Sequence, residues 1–212
     1  MLSRCALRRR PLRRRNIRSY HTGIRTRKPA PTTERLRLRE WRDEDLEPYA
    51  ALNADARVRE FFPGTMTFEE SAASMTAIRD HFALHGYGPW AAEVIGGAPF
   101  IGFIGLSIPP FDAPFMPCVE VGYRLAFDHW GRGYATEGAR AALAFGFESL
   151  GLDEIVAMTA RSNVRSRGVM EKLGMTRDAA DDFDHPNVPA GHPLRRHVLY
   201  RVRKNYFAAG AR

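Results

Sequence analysis

The most constraining stretch of this chain is residues 119–150, because its apolar residues change period across a pair of glycines. Through residue 127 the side chains keep the two-residue period of a half-buried strand, as in Val119-Glu120-Val121-Gly122-Tyr123. From residue 135 onward Ala139, Ala142, Leu143, Gly146 and Leu150 share one helical face, and Gly151 stands where a left-handed residue closes a helix. Small residues on that face allow close packing against a sheet. Between the two elements lies Trp130-Gly131-Arg132-Gly133-Tyr134-Ala135-Thr136. A strand that enters a helix through glycines brings backbone N–H groups close to a ligand, and the positive end of the helix dipole favours a phosphate or pyrophosphate there. Arg132 adds a charge-assisted contact. The run contains neither Gly-Lys-Ser/Thr nor Gly-x-Gly-x-x-Gly, which disfavours Walker-type and dinucleotide-binding folds. A bare Gly-x-Gly also suits a plain turn, and on these residues alone both readings stand.

The flanking segments supply the rest of a mixed domain. Residues 34–39 alternate charge with Leu and predict a first strand. Asp43-Glu44-Asp45 supplies an N-cap and first-turn acids for a helix carrying Leu46, Tyr49, Ala50 and Leu52. A second helix is expected from a Thr67 capping box through Met75, Ile78 and Phe82 to Gly86. Residues 90–95 and 100–108 around Gly96-Gly97 read as a hairpin. Further on, the expectations are a strand at 154–159, a short helix at 166–173 stopped by Gly174, a loop at 177–193 and a last strand at 195–203.

At 212 residues the chain has the length of one ordinary domain with an extension. Its net charge of +8 is unevenly spread: residues 1–33 hold eleven Lys or Arg and no acid, leaving 21 basic and 24 acidic residues elsewhere. The expected organisation is therefore a disordered basic leader at 1–33, a folded domain at 34–205 and a tail at 206–212. The leader has the composition of a mitochondrial transit peptide, and a solvated tail or a misassigned start codon matches it equally. A cytoplasmic location is expected, with a mitochondrial one as the alternative. No apolar run suits a membrane span, and Cys5 and Cys118 form no disulfide framework. Nucleic-acid binding is expected only through the leader, as an electrostatic arm.

In order and spacing, four features together resemble the GNAT superfamily of N-acetyltransferases, and within it the RimJ/RimL-like branch. They are the Val119–Tyr123 strand, the loop from Trp130 to Glu137, Asn163, and Met170-Glu171-Lys172-Leu173-Gly174-Met175, and the resemblance covers about residues 34–205. It implies an α/β fold: a single GNAT-like domain with a mixed, mostly antiparallel central sheet flanked by helices. It also implies acetyl-CoA as co-substrate. The loop amides of Gly131, Arg132, Gly133, Tyr134, Ala135 and Thr136 would hold its pyrophosphate, and the backbone at Leu125 and Phe127 would pair with its pantetheine arm. Many relatives carry a Tyr at position 170 that protonates the leaving thiolate; with Met170 here, that acid must be another group or solvent. The acceptor implied is a primary amine, either a protein N-terminus or a small amine, and the assembly a monomer or homodimer.

Acetyl transfer needs a neutral amine, a stabilised oxyanion and a proton for the departing thiolate. A lysine amine is neutral in roughly one molecule per few thousand at pH 7, against roughly a tenth of α-amines, so an N-terminal acceptor asks less of a base. Glu120, mid-strand and facing away from Val119 and Val121, is the candidate general base through water; a solvated or Arg-paired carboxylate is the alternative. Asn163 either contacts the cofactor or caps the short helix. Ser166 either donates to the thiolate or partners that cap. The oxyanion donor is expected among the backbone N–H groups of the Glu120 strand. Asp181, Asp182, Asp184, His185 and His192 lack a metal-ligand spacing, so no metal is expected, and their loop is read as a border of the acceptor site. Phe61-Phe62-Pro63 is a second candidate lining. Direct attack is favoured because Cys118 is not placed as a nucleophile. Two other readings remain on the sequence: an acyl-CoA-binding regulatory module without catalysis, and a ribosome- or RNA-associated protein that uses the leader.

Overall fold

The computed structural model describes residues 28–209, so the leader up to residue 27 lies outside the described residues. Strand β1 (Leu36–Arg39) is followed by helices α1 (Leu46–Ala54) and α2 (Phe68–His85), then by the antiparallel strands β2 (Pro89–Val94), β3 (Gly102–Ser107) and β4 (Glu120–Leu125). Helix α3 (Tyr134–Ala144) leads to β5 (Glu154–Ala160), α4 (Val164–Lys172), β6 (Thr176–Arg177), β7 (Phe183–Asp184), β8 (Arg196–Arg203) and α5 (Lys204–Ala209). The strand order is β1-β2-β3-β4-β5-β8-β6, with β7 also on β8. Every pair is antiparallel except β4 with β5. That one parallel step requires a crossover, and α3 makes it. The mixed, mostly antiparallel sheet flanked by helices is the expected architecture.

Small residues decide how close α3 lies. A Cβ on Gly138 would come within 2.4 Å of Ile104 Cδ1, and one on Gly146 within 2.6 Å of Ile155 Cδ1. Leu36, Ile104, Leu106, Ala139, Leu143 and Ile155 are fully enclosed on this face. The opposite face is covered at one end by α1, where Trp41, Tyr49, Phe100 and Phe103 pack edge to face or tilted. Along β4 the alternation therefore sends Val121, Tyr123 and Leu125 toward α3, and Glu120, Gly122 and Arg124 toward the opposite face.

The Thr67 capping box forms as expected: its hydroxyl accepts from Glu70 N–H, and the Glu70 carboxylate accepts from Thr67 N–H. Gly86 ends α2 in the left-handed region at φ 75°. Elsewhere tertiary partners change the local outcome. Residues 43–45 form a 3-10 turn, and Asp43 is not a cap. Asp45 accepts from Arg42 N–H instead, and its two oxygens each take a 2.7 Å bond from the buried Arg39 guanidinium. In the β2–β3 turn only Gly96 has positive φ, and β3 begins at Gly102 rather than at 100. The α3 segment finishes as a π-helical turn over Phe145–Ser149.

Packing also extends beyond the expected domain limits. Leu38 N–H bonds the Pro31 carbonyl, Thr33 hydrogen-bonds into β1, and Phe207 of α5 packs on Phe147. Among the described residues no helix is long and apolar enough to cross a membrane.

Candidate active site

The glycine loop is built as its spacing predicts. Gly131 and Gly133 both occupy the left-handed region, at φ 73° and 82°, and Gly133 is the N-cap of α3. The first intrahelical bond runs from Glu137 N–H to the Gly133 carbonyl, so the amides ahead of it have no partner within the helix. Gly131, Arg132 and Gly133 are exposed, as a polyanion site demands. The loop has a brace that sequence reasoning missed. Glu137 accepts from Thr33 Oγ1 at 2.6 Å, Arg35 N–H at 3.0 Å and Arg35 Nε at 2.7 Å. Arg35 also donates to the Arg132 carbonyl and lies over the Tyr134 ring. Burial pushes the Glu137 carboxyl up, but the bonds from Thr33 and Arg35 outweigh it and hold the group below its ordinary range. Beside this helix start runs an open groove of about 920 Å³ lined by Arg35, Gly133, Thr136, Arg140 and Lys172, among others.

A gap in the sheet leads to the loop. Ala126 N–H bonds Ile101, so even-numbered residues of β4 turn their backbone groups to β3 and odd-numbered ones turn theirs to β5. Yet β4 and β5 pair only at Glu120↔Val156, where Val156 N–H bonds the Val119 carbonyl at 2.9 Å. Past that point the ladder stops, and the backbone of Tyr123 and Leu125 is directed into unpaired space. The Trp130 indole closes its far end by donating to the Leu125 carbonyl at 2.8 Å.

Two polar groups flank the start of this gap. Burial raises the Glu120 carboxyl to about 7, against a smaller opposing pull from the Met158 N–H. Among the described residues Glu120 makes no ion pair with an arginine or lysine. On the other side of the strand, Tyr123 Oη donates to the Ser166 carbonyl at 3.0 Å and lies 3.1 Å from Ser166 Oγ. Burial lifts the Tyr123 phenol to about 12, with the Ser166 bond drawing it down and the Glu120 charge adding to the rise.

Residues 35–176 match the family model of the acetyltransferase (GNAT) domain. The chain belongs to the GNAT family. It is 31% identical over 144 residues to the uncharacterized protein YkkB of Bacillus subtilis, spanning 68% of this chain and 83% of that one. Over 95 residues it is 37% identical to the FsC-acetyl coenzyme A-N(2)-transacetylase of Aspergillus fumigatus, which covers 43% of this chain and 40% of that protein. Among solved structures, an acetyltransferase from Agrobacterium tumefaciens superposes with a TM-score of 0.67 at 27% identity, covering 87% of this chain and 99% of its own. The protein is thus an acyltransferase built on the acetyl-CoA-using GNAT fold.

Within this GNAT domain the other expected site residues fall into distinct places. Phe127 is not in the strand: β4 ends at Leu125, and Phe127 opens a 3-10 turn whose first carbonyl accepts Trp130 N–H. The turn forms because Trp130 folds back over the strand end, and the exposed Phe127 ring carries Arg57 at 4.0 Å. Asn163 is the N-cap of α4, with Oδ1 accepting from Ser166 N–H at 3.1 Å and Nδ2 donating to Thr159 Oγ1 at 3.0 Å. Both ends of its amide are engaged, which is the capping reading. Met170 is only 2% exposed and packs in the core, so position 170 presents nothing to the gap.

The Cys118 thiol is pushed by burial to about 12, which keeps it protonated and poorly nucleophilic. The loop at 177–193 contains β6, β7 and a 3-10 turn, and its acids face arginines: Asp181 with Arg201, Asp182 with Arg177, Asp184 with Arg195 and Arg196. Tyr123 was legible as an inward residue of β4, but only the position of α4 shows that it meets Ser166.

Proposed function

We propose that the protein transfers the acetyl group of acetyl-CoA to a primary amine by direct attack. The observation that carries this reading is the unpaired stretch of β4 opening onto the left-handed Gly131–Gly133 loop. An extended, amide-bearing arm can complete the free backbone positions of Tyr123 and Leu125 while its pyrophosphate meets the amides of residues 131–136 and the Arg132 side chain. Leu125 then contributes its N–H, since its carbonyl is held by Trp130. Phe127 contributes at the mouth of the gap rather than in the ladder. Asn163 acts by fixing the start of α4, and with it Ser166.

The chemistry follows from the two flanking groups. Glu120, with a carboxyl raised to about 7, takes the proton of the attacking amine through water. The new C–N bond forms at the thioester carbonyl, and a backbone N–H of β4 steadies the oxyanion. As the C–S bond breaks, the thiolate receives a proton from Ser166, and the Tyr123 hydroxyl replaces it by turning from the Ser166 carbonyl to Ser166 Oγ, 3.1 Å away. This pair takes the place of the tyrosine missing at position 170.

The Aspergillus relative's name gives acetyl coenzyme A as donor and a nitrogen as acceptor, in keeping with this reaction. Placement in the RimJ/RimL-like branch, and with it a protein N-terminus as acceptor, rests on the motifs from Trp130 to Glu137 and from Met170 to Met175. The test is thiol release from acetyl-CoA over a panel of peptides and small amines, with mass spectrometry of the products. Tight acetyl-CoA binding with no release on any amine would replace this reading with that of a regulatory acyl-CoA module.

A further inference from the structure

Among the described residues Arg124 is a cation without an anion. It lies on the same face of β4 as Glu120, two pleats further along. Its Nη1 donates to Asn53 Oδ1 at 2.9 Å, and its Nε is enclosed with no hydrogen-bond partner. No carboxylate among the described residues is within ion-pair reach. The guanidinium instead lies 4.3 Å from the Phe62 ring centre and 5.3 Å from that of Phe103. Arg59 approaches the same Phe62 ring at 4.4 Å, so two like charges share one aromatic side chain. The Arg124 guanidinium is lowered to about 10, chiefly by burial, with Tyr49 opposing the shift and the Arg59 charge adding to it. Enclosed charges in folded proteins are ordinarily paired, and a guanidinium with free donors is matched in shape and charge by a carboxylate.

A second observation is independent of this one. Gly122 lies between Glu120 and Arg124 on the same face, and a Cβ built on it would meet nothing within 4 Å. The floor between the candidate base and the unpaired guanidinium is therefore open. At about 3.3 Å per residue the two positions are roughly 13 Å apart along the strand, and their side chains can lean together across Gly122.

We propose that the acceptor is an amine that also carries a carboxylate, with the amine over Gly122 on the Glu120 side and the carboxylate docked on Arg124. The inference rests on the acetyl-transfer reading and narrows its substrate class. The carboxylate belongs either to a free amino acid or to an acidic side chain near the start of a peptide.

Two measurements test it. In the first, thiol release from acetyl-CoA is followed for a series of ω-amino acids of increasing chain length and for their amides. Peptides with Asp or Asn at the second and third positions are run alongside, to separate free amino acids from protein termini. At the best spacer length, or in the Asp peptides, the acid should exceed its neutral counterpart in kcat/KM by roughly 100-fold. In R124Q that ratio should fall toward one, and R124K should recover part of it.

In the second measurement, the CoA-loaded protein is titrated calorimetrically with the N-acetylated acids and amides. This arm needs no turnover and reads the carboxylate preference even if no amine is acetylated, which separates failure of this inference from failure of the transferase reading. Equal handling of acid and amide by the unaltered protein in both arms overturns the proposal, whatever the variants do. So does an acid preference that survives in R124Q.

Discussion

Replacing Glu120 by Gln removes the carboxylate at the start of the β4–β5 gap while keeping its shape, and the effect can be worked out in two quantities. The first is the pH profile. With the carboxyl at about 7, its ionised fraction rises about tenfold between pH 6 and pH 8. The amine's own ionisation steepens both profiles, but it cancels in the ratio of the two rates. The wild-type rate divided by the Glu120→Gln rate should therefore climb about tenfold over that range and level off above it.

The second quantity is stability. The folded protein binds the Glu120 proton more tightly than the unfolded chain does, so the associated stability is present below about pH 4.5 and is lost as pH rises through about 7. By pH 8.5 the ionised carboxylate costs the fold up to about 3 kcal/mol, at 1.36 kcal/mol per pKa unit. Glutamine avoids that cost, and Glu120→Gln should melt some 5–10 °C above wild type at pH 8.5 and close to it near pH 4. The assays are thiol-release kinetics with one amine across pH, and thermal denaturation at both pH values. A rate ratio flat with pH would remove Glu120 as the base even if the stability gain appears. Absence of both effects would refute the burial argument itself.

Ser166→Ala and Tyr123→Phe should each lower kcat by roughly 10- to 100-fold, because each breaks the hydroxyl pair that protonates the thiolate. Acetyl-CoA affinity measured by calorimetry should hardly move, and unchanged kcat in both variants would send the proton to solvent. Glu137→Ala releases Thr33 and the Arg35 side chain from the first turn of α3 and should weaken acetyl-CoA binding about tenfold, with a loss of about 1–3 kcal/mol in stability by urea titration. Equal affinity there would show that the loop holds its shape without the brace. Asp45→Ala leaves the buried Arg39 with Glu93 as its carboxylate, beside the Glu40 and Pro99 carbonyls, and should cost about 3–5 kcal/mol, read as a lower urea midpoint; a loss below 1 kcal/mol would mean that water reaches Arg39.

Local features that depend on neighbours in sequence were the most readable. The Thr67 box, the glycine-to-helix start at Gly133 and the alternation of β4 follow from spacing alone. What spacing could not supply was pairing across the chain. Asp43-Glu44-Asp45 looks like a helix start, yet Arg39 draws Asp45 into a buried bidentate pair and the turn tightens to 3-10. Phe127 continues the alternation on paper, but the Trp130 indole needs the Leu125 carbonyl and pulls the chain into a turn two residues early. β7 has two residues, too few for any period, and forms because Phe183 packs against Phe111 and Phe115. In the candidate site, Glu120 and the loop are read from their own segments. Tyr123 with Ser166, and Arg35 with Glu137, each join residues 43 and 102 positions apart, and no local pattern announces them.

The interrupted ladder between β4 and β5 has a consequence for what the sheet admits. A bare strand edge normally invites any extended polypeptide to add itself, which is why exposed edges are shortened, charged or covered. Here the bare edge is internal, with a partner strand on its other side and Trp130 across its end. A polypeptide entering such a slot would have to thrust side chains alternately into both layers of the domain. An arm with amides but no side chains faces no such obstacle. The sheet thus filters its visitors by thickness before any charge or hydroxyl is consulted, and it keeps an adhesive edge inside the molecule without exposing it to other proteins.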